Sequence, residues 1–218
     1  MIDRMGRAIP GLAACLCGAM VGWLLMMAFP VLTRATELTP DAQLSVHPKA
    51  RFPLALFVGP ARDPRTANAL RTVVRDWNAL FESVTGVAAF RWHDREEGAD
   101  VIVRFVPATL SGPGPRTLLT TDEFGTIKLP VLVELPELPA EHGEPVSPTG
   151  SSAAGHELGH VLGLSHSDDV ESIMCCAKGG AVLREPELRR RYLEARQRAE
   201  VRSALRQLLD VYPRAWRP

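Results

Sequence analysis

The chain has 218 residues, enough for one domain with an ordinary core, and its 25 basic and 25 acidic side chains cancel. With no net charge, no basic stripe interleaved with aromatics and no glycine loop of the phosphate-binding kind, nucleic acid is excluded as the expected partner.

From Ala8 to Thr33 no residue is charged. That run exceeds the about 20 residues that cross a bilayer and outruns the apolar core of a cleaved signal peptide. Arg4, Arg7 and Arg34 flank it and bias its orientation only weakly. The expectation is a signal anchor over residues 1–35, a linker over 36–50, and a membrane-anchored domain over 51–218 lying outside the cytoplasm. One alternative is secretion after cleavage near Ala35. Another is a lipoprotein box at Leu12–Cys15, disfavoured because the long apolar run follows Cys15. His47 and His142 fall in polar or proline-rich connections and read as exposed.

RFPLALFV (51–58) is an apolar run of strand length. Asp63-Pro64 is a helix start, an N-cap followed by proline at the first helical position. Leu70, Val73, Val74, Trp77, Leu80, Phe81 and Val84 then recur at helical spacing until Gly86 stops the helix. AAFRWHD (88–94), with His93 at its end, and ADVIVRFV (99–106) read as strands, and residues 107–124 as a long loop. GTIKLPVLVEL (125–135) reads as a further strand, placed at a sheet edge because Pro130 cannot donate to a ladder. Ser151 or Ser152 can cap a helix over Ala153–Leu162, and Glu185 to about Tyr212 reads as a final, arginine-heavy helix with a solvated face. Strands grouped between the first and second helices predict an α+β domain with a mixed sheet.

HELGHVLGLSH (156–166) holds half of the chain's six histidines. On a helix His156 and His160 share one face and can offer two imidazoles to one zinc ion. Glu157 lies too far round to join them as a ligand and is placed to take a proton from water as general base. Gly163 can adopt the left-handed conformation that ends a helix, and the turn returns His166 as a third ligand. Three protein ligands leave the fourth position open, the arrangement of one catalytic rather than structural zinc. Cys175 and Cys176 are adjacent, a spacing that rarely bridges, and read as two packed thiols.

This string resembles the zinc signature of the metzincin peptidases, HExxHxxGxxH, and Ser167 after it resembles the matrixin (matrix-metalloprotease-like) branch. Ser172-Ile173-Met174 is similar to the Met-turn of that clan, and the likeness extends upstream to about Phe52, including Asp76-Trp77-Asn78 in the long helix. The resemblance implies a metzincin-like fold with a long helix, an active-site helix and a C-terminal helix. It implies His156, His160 and His166 as zinc ligands, Glu157 as base and then proton donor to the leaving amine, and Met174 as a structural floor. It also implies a zinc endopeptidase whose protein or peptide substrate docks by strand pairing, here along GTIKLPVLVEL, with residues after Met174 such as Ala177–Leu183 walling a pocket.

The chain departs from that pattern in places. No cysteine lies between the apolar run and the first strand, and residues 94–141 hold no histidine, so neither a prodomain cysteine switch nor a second, structural zinc is expected. Calcium stays undecided, since Asp122, Glu123, Asp168 and Asp169 are explained equally by solvated loops. Cys176 stands where the astacin-like relatives place a tyrosine that reaches the zinc. Two other functional readings stay open: a catalytically inactive zinc-binding or adhesion module of the same fold, and a peptidase narrowed to one partner by docking through the arginine-rich C-terminal helix.

Overall fold

The computed structural model describes residues 45–107, 114–137, 148–176, 184–198 and 200–216. The described residues form an α+β arrangement, a five-stranded mixed sheet with four α-helices: β1 (Leu54–Val58), α1 (Pro64–Thr85), β2 (Phe90–Trp92), β3 (Val101–Pro107), β4 (Arg116–Leu118), β5 (Val131–Glu137), α2 (Pro148–Val161), α3 (Pro186–Arg198) and α4 (Leu205–Ala215). The sheet order is β2-β1-β3-β5-β4. The first four of these strands run parallel, while β4 pairs antiparallel with β5, Thr117 standing opposite Val133.

The long helix forms for the reasons its sequence suggests. The Asp63 carboxylate accepts the Arg65 amide at 2.8 Å, Pro64 opens the first turn, and Gly86 ends the helix at φ +75°. Its apolar stripe of Leu70, Val73, Val74, Trp77, Leu80 and Phe81 is buried. It packs in one core with Leu54 and Leu56 of β1, Val101 and Val103 of β3, and Val131 and Val133 of β5, residues two apart that share a strand face. Asn78 ties the helix to β2, its amide donating to Phe90 O at 2.9 Å and its carbonyl accepting the Phe90 amide at 2.8 Å. Trp77, fully buried, donates its indole N–H to Gly155 O at 3.0 Å and so fixes α1 against α2 one residue before His156.

Several expectations are corrected. The segment expected at an edge begins its ladder only at Val131, one residue past Pro130, and lies between β3 and β4. The edge beside α2 is β4, three residues within the stretch expected to be loop. The final helix is divided, because α3 buries no residue whereas Val201, Ala204, Leu208, Val211 and Tyr212 are all buried. A 3-10 turn over Val201–Ala204 redirects the chain so that this second stripe packs on the core. Among the described residues no helix is long and apolar enough to cross a membrane. The one helix of sufficient length, α1, carries Arg65, Arg71, Arg75, Asp76 and Glu82. The expectation of a membrane-anchored chain with an extracytoplasmic domain is therefore withdrawn. The run 8–33 on which it was built lies outside the described residues, as do Cys15, Cys17, His142 and Ala177–Leu183.

His47, expected to be exposed, is completely buried. Its Nε2 faces Val161 O at 2.9 Å, and its ring packs edge-on to Phe52. Phe52 in turn stacks on Phe81 and meets Tyr212 and Trp216 edge-on. A carbonyl only accepts, so Nε2 carries the proton and Nδ1, buried without a partner, keeps a lone pair.

Burial lowers the His47 pKa below its ordinary 6.5 despite the opposing bond to Val161. The unfolded chain therefore takes up this proton first, so stability is full above pH 6.5 and falls as pH drops toward the lowered folded-state value. The imidazoles of α2 and the following loop add a dependence of the same sign. Urea unfolding of His47→Gln, which keeps a donor for Val161 O, should accordingly show a shallower loss of stability between pH 7 and pH 5 than the wild type. Parallel pH profiles would show that His47 is not held neutral.

Candidate metal centre

Helix α2 carries His156 and His160 one turn apart on one face, and their Nε2 atoms stand 3.0 Å apart. For the third histidine to reach the same point the helix has to end at once. The Gly163 amide bonds to His160 O at 2.8 Å and the Leu164 amide to Gly159 O at 3.1 Å, the paired bonds of a left-handed helix end. Gly163 sits at φ +77°, and a Cβ there would also overlap the Ser45 carbonyl oxygen, so the position admits only glycine. The reversed chain brings His166 Nε2 to 3.3 Å from that of His160.

The outer nitrogens settle what the inner ones can do. His156 Nδ1 lies 2.7 Å from Ile173 O, and His160 Nδ1 lies 2.7 Å from Leu164 O. Because each partner is a carbonyl, each Nδ1 bears the proton and each Nε2 presents a bare lone pair. Two such lone pairs cannot hydrogen-bond to one another. A tetrahedral ion with nitrogen bonds of about 2.0–2.1 Å separates its ligands by about 3.3 Å, close to the spacing found here. Among the described residues these three histidines form a group that could hold one metal ion, their donor atoms lying within 4.8 Å of one another.

Electrostatics agree with the geometry. Burial pushes the His156 imidazole down to about 4, helped by His160, His166 and Arg196. Burial also lowers His160 and His166. All three are therefore neutral near pH 7, the form that binds metal. Glu157 is 5% exposed and outside the donor set. Burial raises its pKa, while a 2.7 Å hydrogen bond donated by the Thr117 hydroxyl to Oε2 works the other way.

The chain from Ser172 to Cys175 passes beneath the histidines. Met174 is fully buried, and a Cβ at Gly159 would overlap its sulfur, so a glycine inside α2 lets the turn approach the helix closely. The Ser167 amide donates to Met174 O at 2.8 Å, linking the turn to the neighbour of His166. From α3, the Arg196 guanidinium donates to Ser172 O at 2.8 Å and to Ile173 O at 3.1 Å. Ile173 O is the carbonyl that also receives His156 Nδ1. Ser203 Oγ accepts the Ile173 amide at 2.8 Å.

Cys175 and Cys176, expected as two packed thiols, stand with their sulfurs against one another, Cys175 being buried. Asp122 and Asp169, weighed as calcium ligands, each cap a turn by accepting backbone amides. His93 stands at the end of β2, its Nε2 3.1 Å from Glu97 O. Thr117 and Arg196 were not singled out in the sequence. Arg196 is one of ten arginines between 184 and 218, and nothing local marks it from the rest. Arg190 and Arg191 form exposed ion pairs with Glu187, Glu194 and Glu171.

Residues 146–183 match the family model of the matrixin peptidases, a stretch that contains the three histidines, Glu157 and Met174. No curated protein matches the chain.

Arg196→Met should weaken binding of added zinc by about ten-fold or more, the usual effect of losing a group that orients a ligand, as read by competition with a chromophoric chelator. Arg190→Met on the same helix should bind zinc like the wild type. Equal affinity in the two variants would reduce Arg196 to a surface contact.

Proposed function

We propose that the protein is a zinc-dependent endopeptidase in which His156, His160 and His166 hold the metal and Glu157 is the general base. The observation that supports it most is the convergence of three Nε2 atoms, with separations of 3.0 and 3.3 Å, where the His156 and His160 protons are committed to carbonyls on the far side. The match of residues 146–183 to the matrixin model supports the same reading. Zinc held by these nitrogens would supply Lewis acidity, polarising a substrate carbonyl and acidifying water.

The chain's own groups divide the remaining work. Ile173 O and Leu164 O hold two ligand rings in the tautomer that leaves Nε2 free. Glu157, next to His156 on the helix and nearly excluded from solvent, takes a proton from water on its carboxylate and passes it to the nitrogen of the departing amine. Met174 supports α2 from below without contributing a ligand. An extended peptide would pair with the edge strand β4, in place of the segment first expected, since β4 ends the sheet on the side that touches α2. The rival reading, a metal-binding module without catalysis, gives no use for a carboxylate buried at position 157, where its desolvation costs stability.

Glu157→Ala should retain about one zinc per chain by mass spectrometry while cleavage of a mixed peptide library falls by about 10²–10⁴-fold. Zinc bound by both proteins with cleavage by neither would support the binding module. Failure of the wild type to retain zinc would overturn the site.

A further inference from the structure

We propose that Thr117 is a positioning residue for Glu157, holding the base carboxylate from the edge of the sheet; the proposal rests on the peptidase reading above. Thr117 is the middle residue of β4, and along a strand successive side chains alternate. Arg116 and Leu118 are exposed, whereas Thr117 is half-buried and turned to α2. Its Oγ1 lies 2.7 Å from Glu157 Oε2 and 2.9 Å from the Glu157 backbone oxygen. A hydroxyl has one proton to give, and an ionised carboxylate is the stronger acceptor, so the proton goes to Oε2. No other donor to this carboxylate is found among the described residues.

Three features make this contact a positioning device rather than incidental packing. The glutamate chain has several rotatable bonds, and proton transfer needs a heavy-atom approach of about 2.6–3.2 Å, so a carboxylate free to change rotamer spends less time in reach of its water. One engaged oxygen fixes the rotamer and leaves the other to receive the proton. The strand that carries Thr117 is itself anchored: Arg116 pairs with Glu134 across the ladder at 2.5 Å, and β5 holds β4 in antiparallel register. The same three residues also form the edge on which a substrate peptide would align. Substrate alignment and base orientation are thereby set by one rigid element, with Glu157 itself 40 residues distant in sequence.

The variants Thr117→Val, which keeps the shape and removes the hydroxyl, and Thr117→Ser, which keeps the hydroxyl, test the idea in the full chain. Thr117→Val should lower kcat by about ten-fold or more, as expected for misplacing a reacting group, with KM and zinc content unchanged. Thr117→Ser should recover most of kcat, and it also serves if the valine variant folds poorly. Independently of activity, the metal-free proteins should show coupling. The drops in thermal midpoint for Thr117→Val and Glu157→Ala should sum to a value different from that of the double variant. Additive midpoints, or wild-type kcat in Thr117→Val while Glu157→Ala is inactive, would overturn the assignment of Thr117 and leave the peptidase reading standing. A wild-type protein that binds zinc and cleaves nothing would overturn the peptidase reading, and this proposal with it.

Discussion

Two neutral imidazoles, those of His156 and His160, direct bare lone pairs at one point 3.0 Å apart and repel one another until a cation lies between them. Everything around the candidate metal centre can be understood as the framework that holds this unfavourable arrangement in place. Two rings are fixed by hydrogen bonds from their outer nitrogens, to Ile173 O and Leu164 O. These bonds are worth more than their net stability suggests. They select the tautomer, and with the other tautomer a proton would sit on the nitrogen that a metal would need. The supporting carbonyls are in turn held, Ile173 O by Arg196 and by the Ser203 contact at the same residue, and Leu164 by the helix end that places it.

The end of α2 shows how much structure one glycine organises. A helix leaves its last four carbonyls without intrahelical partners, and a buried end needs a donor for each. Gly159 O and His160 O receive the amides of Leu164 and Gly163. Val161 O receives His47 Nε2 and Leu162 O receives the Tyr212 hydroxyl at 2.7 Å. Donors from residues 47 and 212 therefore close the same helix terminus. Trp216 completes the link, its indole donating to His47 O at 3.0 Å. Early and late parts of the described chain are thus tied to the helix that carries two of the three histidines, so loosening either one acts on the candidate metal centre through the helix end.

What could be read in the sequence divides along a physical line. The cap at Asp63, the stripe of α1, the stop at Gly86 and the spacing of His156, Glu157, His160, Gly163 and His166 are local, each interaction closing within a few residues. Helix geometry alone predicts which of those side chains share a face. The misreadings are long-range. β4 has only three residues and no alternating pattern of its own, and it exists because β5 and α2 give it partners. His47 looks like an ordinary polar-linker residue until the C-terminal helix covers it. Arg196 is indistinguishable from its neighbours until the turn at Ser172–Cys175 is laid against it. The edge assignment for 125–135 failed because proline was taken to govern a strand that in fact begins after it.

The same division separates the groups that would do chemistry from those that would tune it. The candidate ligands and base occupy eleven consecutive residues, so their mutual geometry is nearly a property of one helix and one turn. Their orientation is not. Thr117 lies 40 positions before Glu157, Ile173 lies 17 after His156, and Arg196 lies 23 after Ile173. Such contacts form only once the sheet, α2 and α3 are packed, so a change in packing can leave the histidine spacing intact and still misdirect the site. Keeping the motif is then a weak guarantee of function in any variant of this chain. Position 159 makes the point sharply, because glycine there appears to local reasoning as a helix-weakening choice of about 1 kcal/mol. It is instead the vacancy into which the Met174 sulfur fits, and alanine, the better helix former, would be accepted only if the Met174 side chain moved away from the helix.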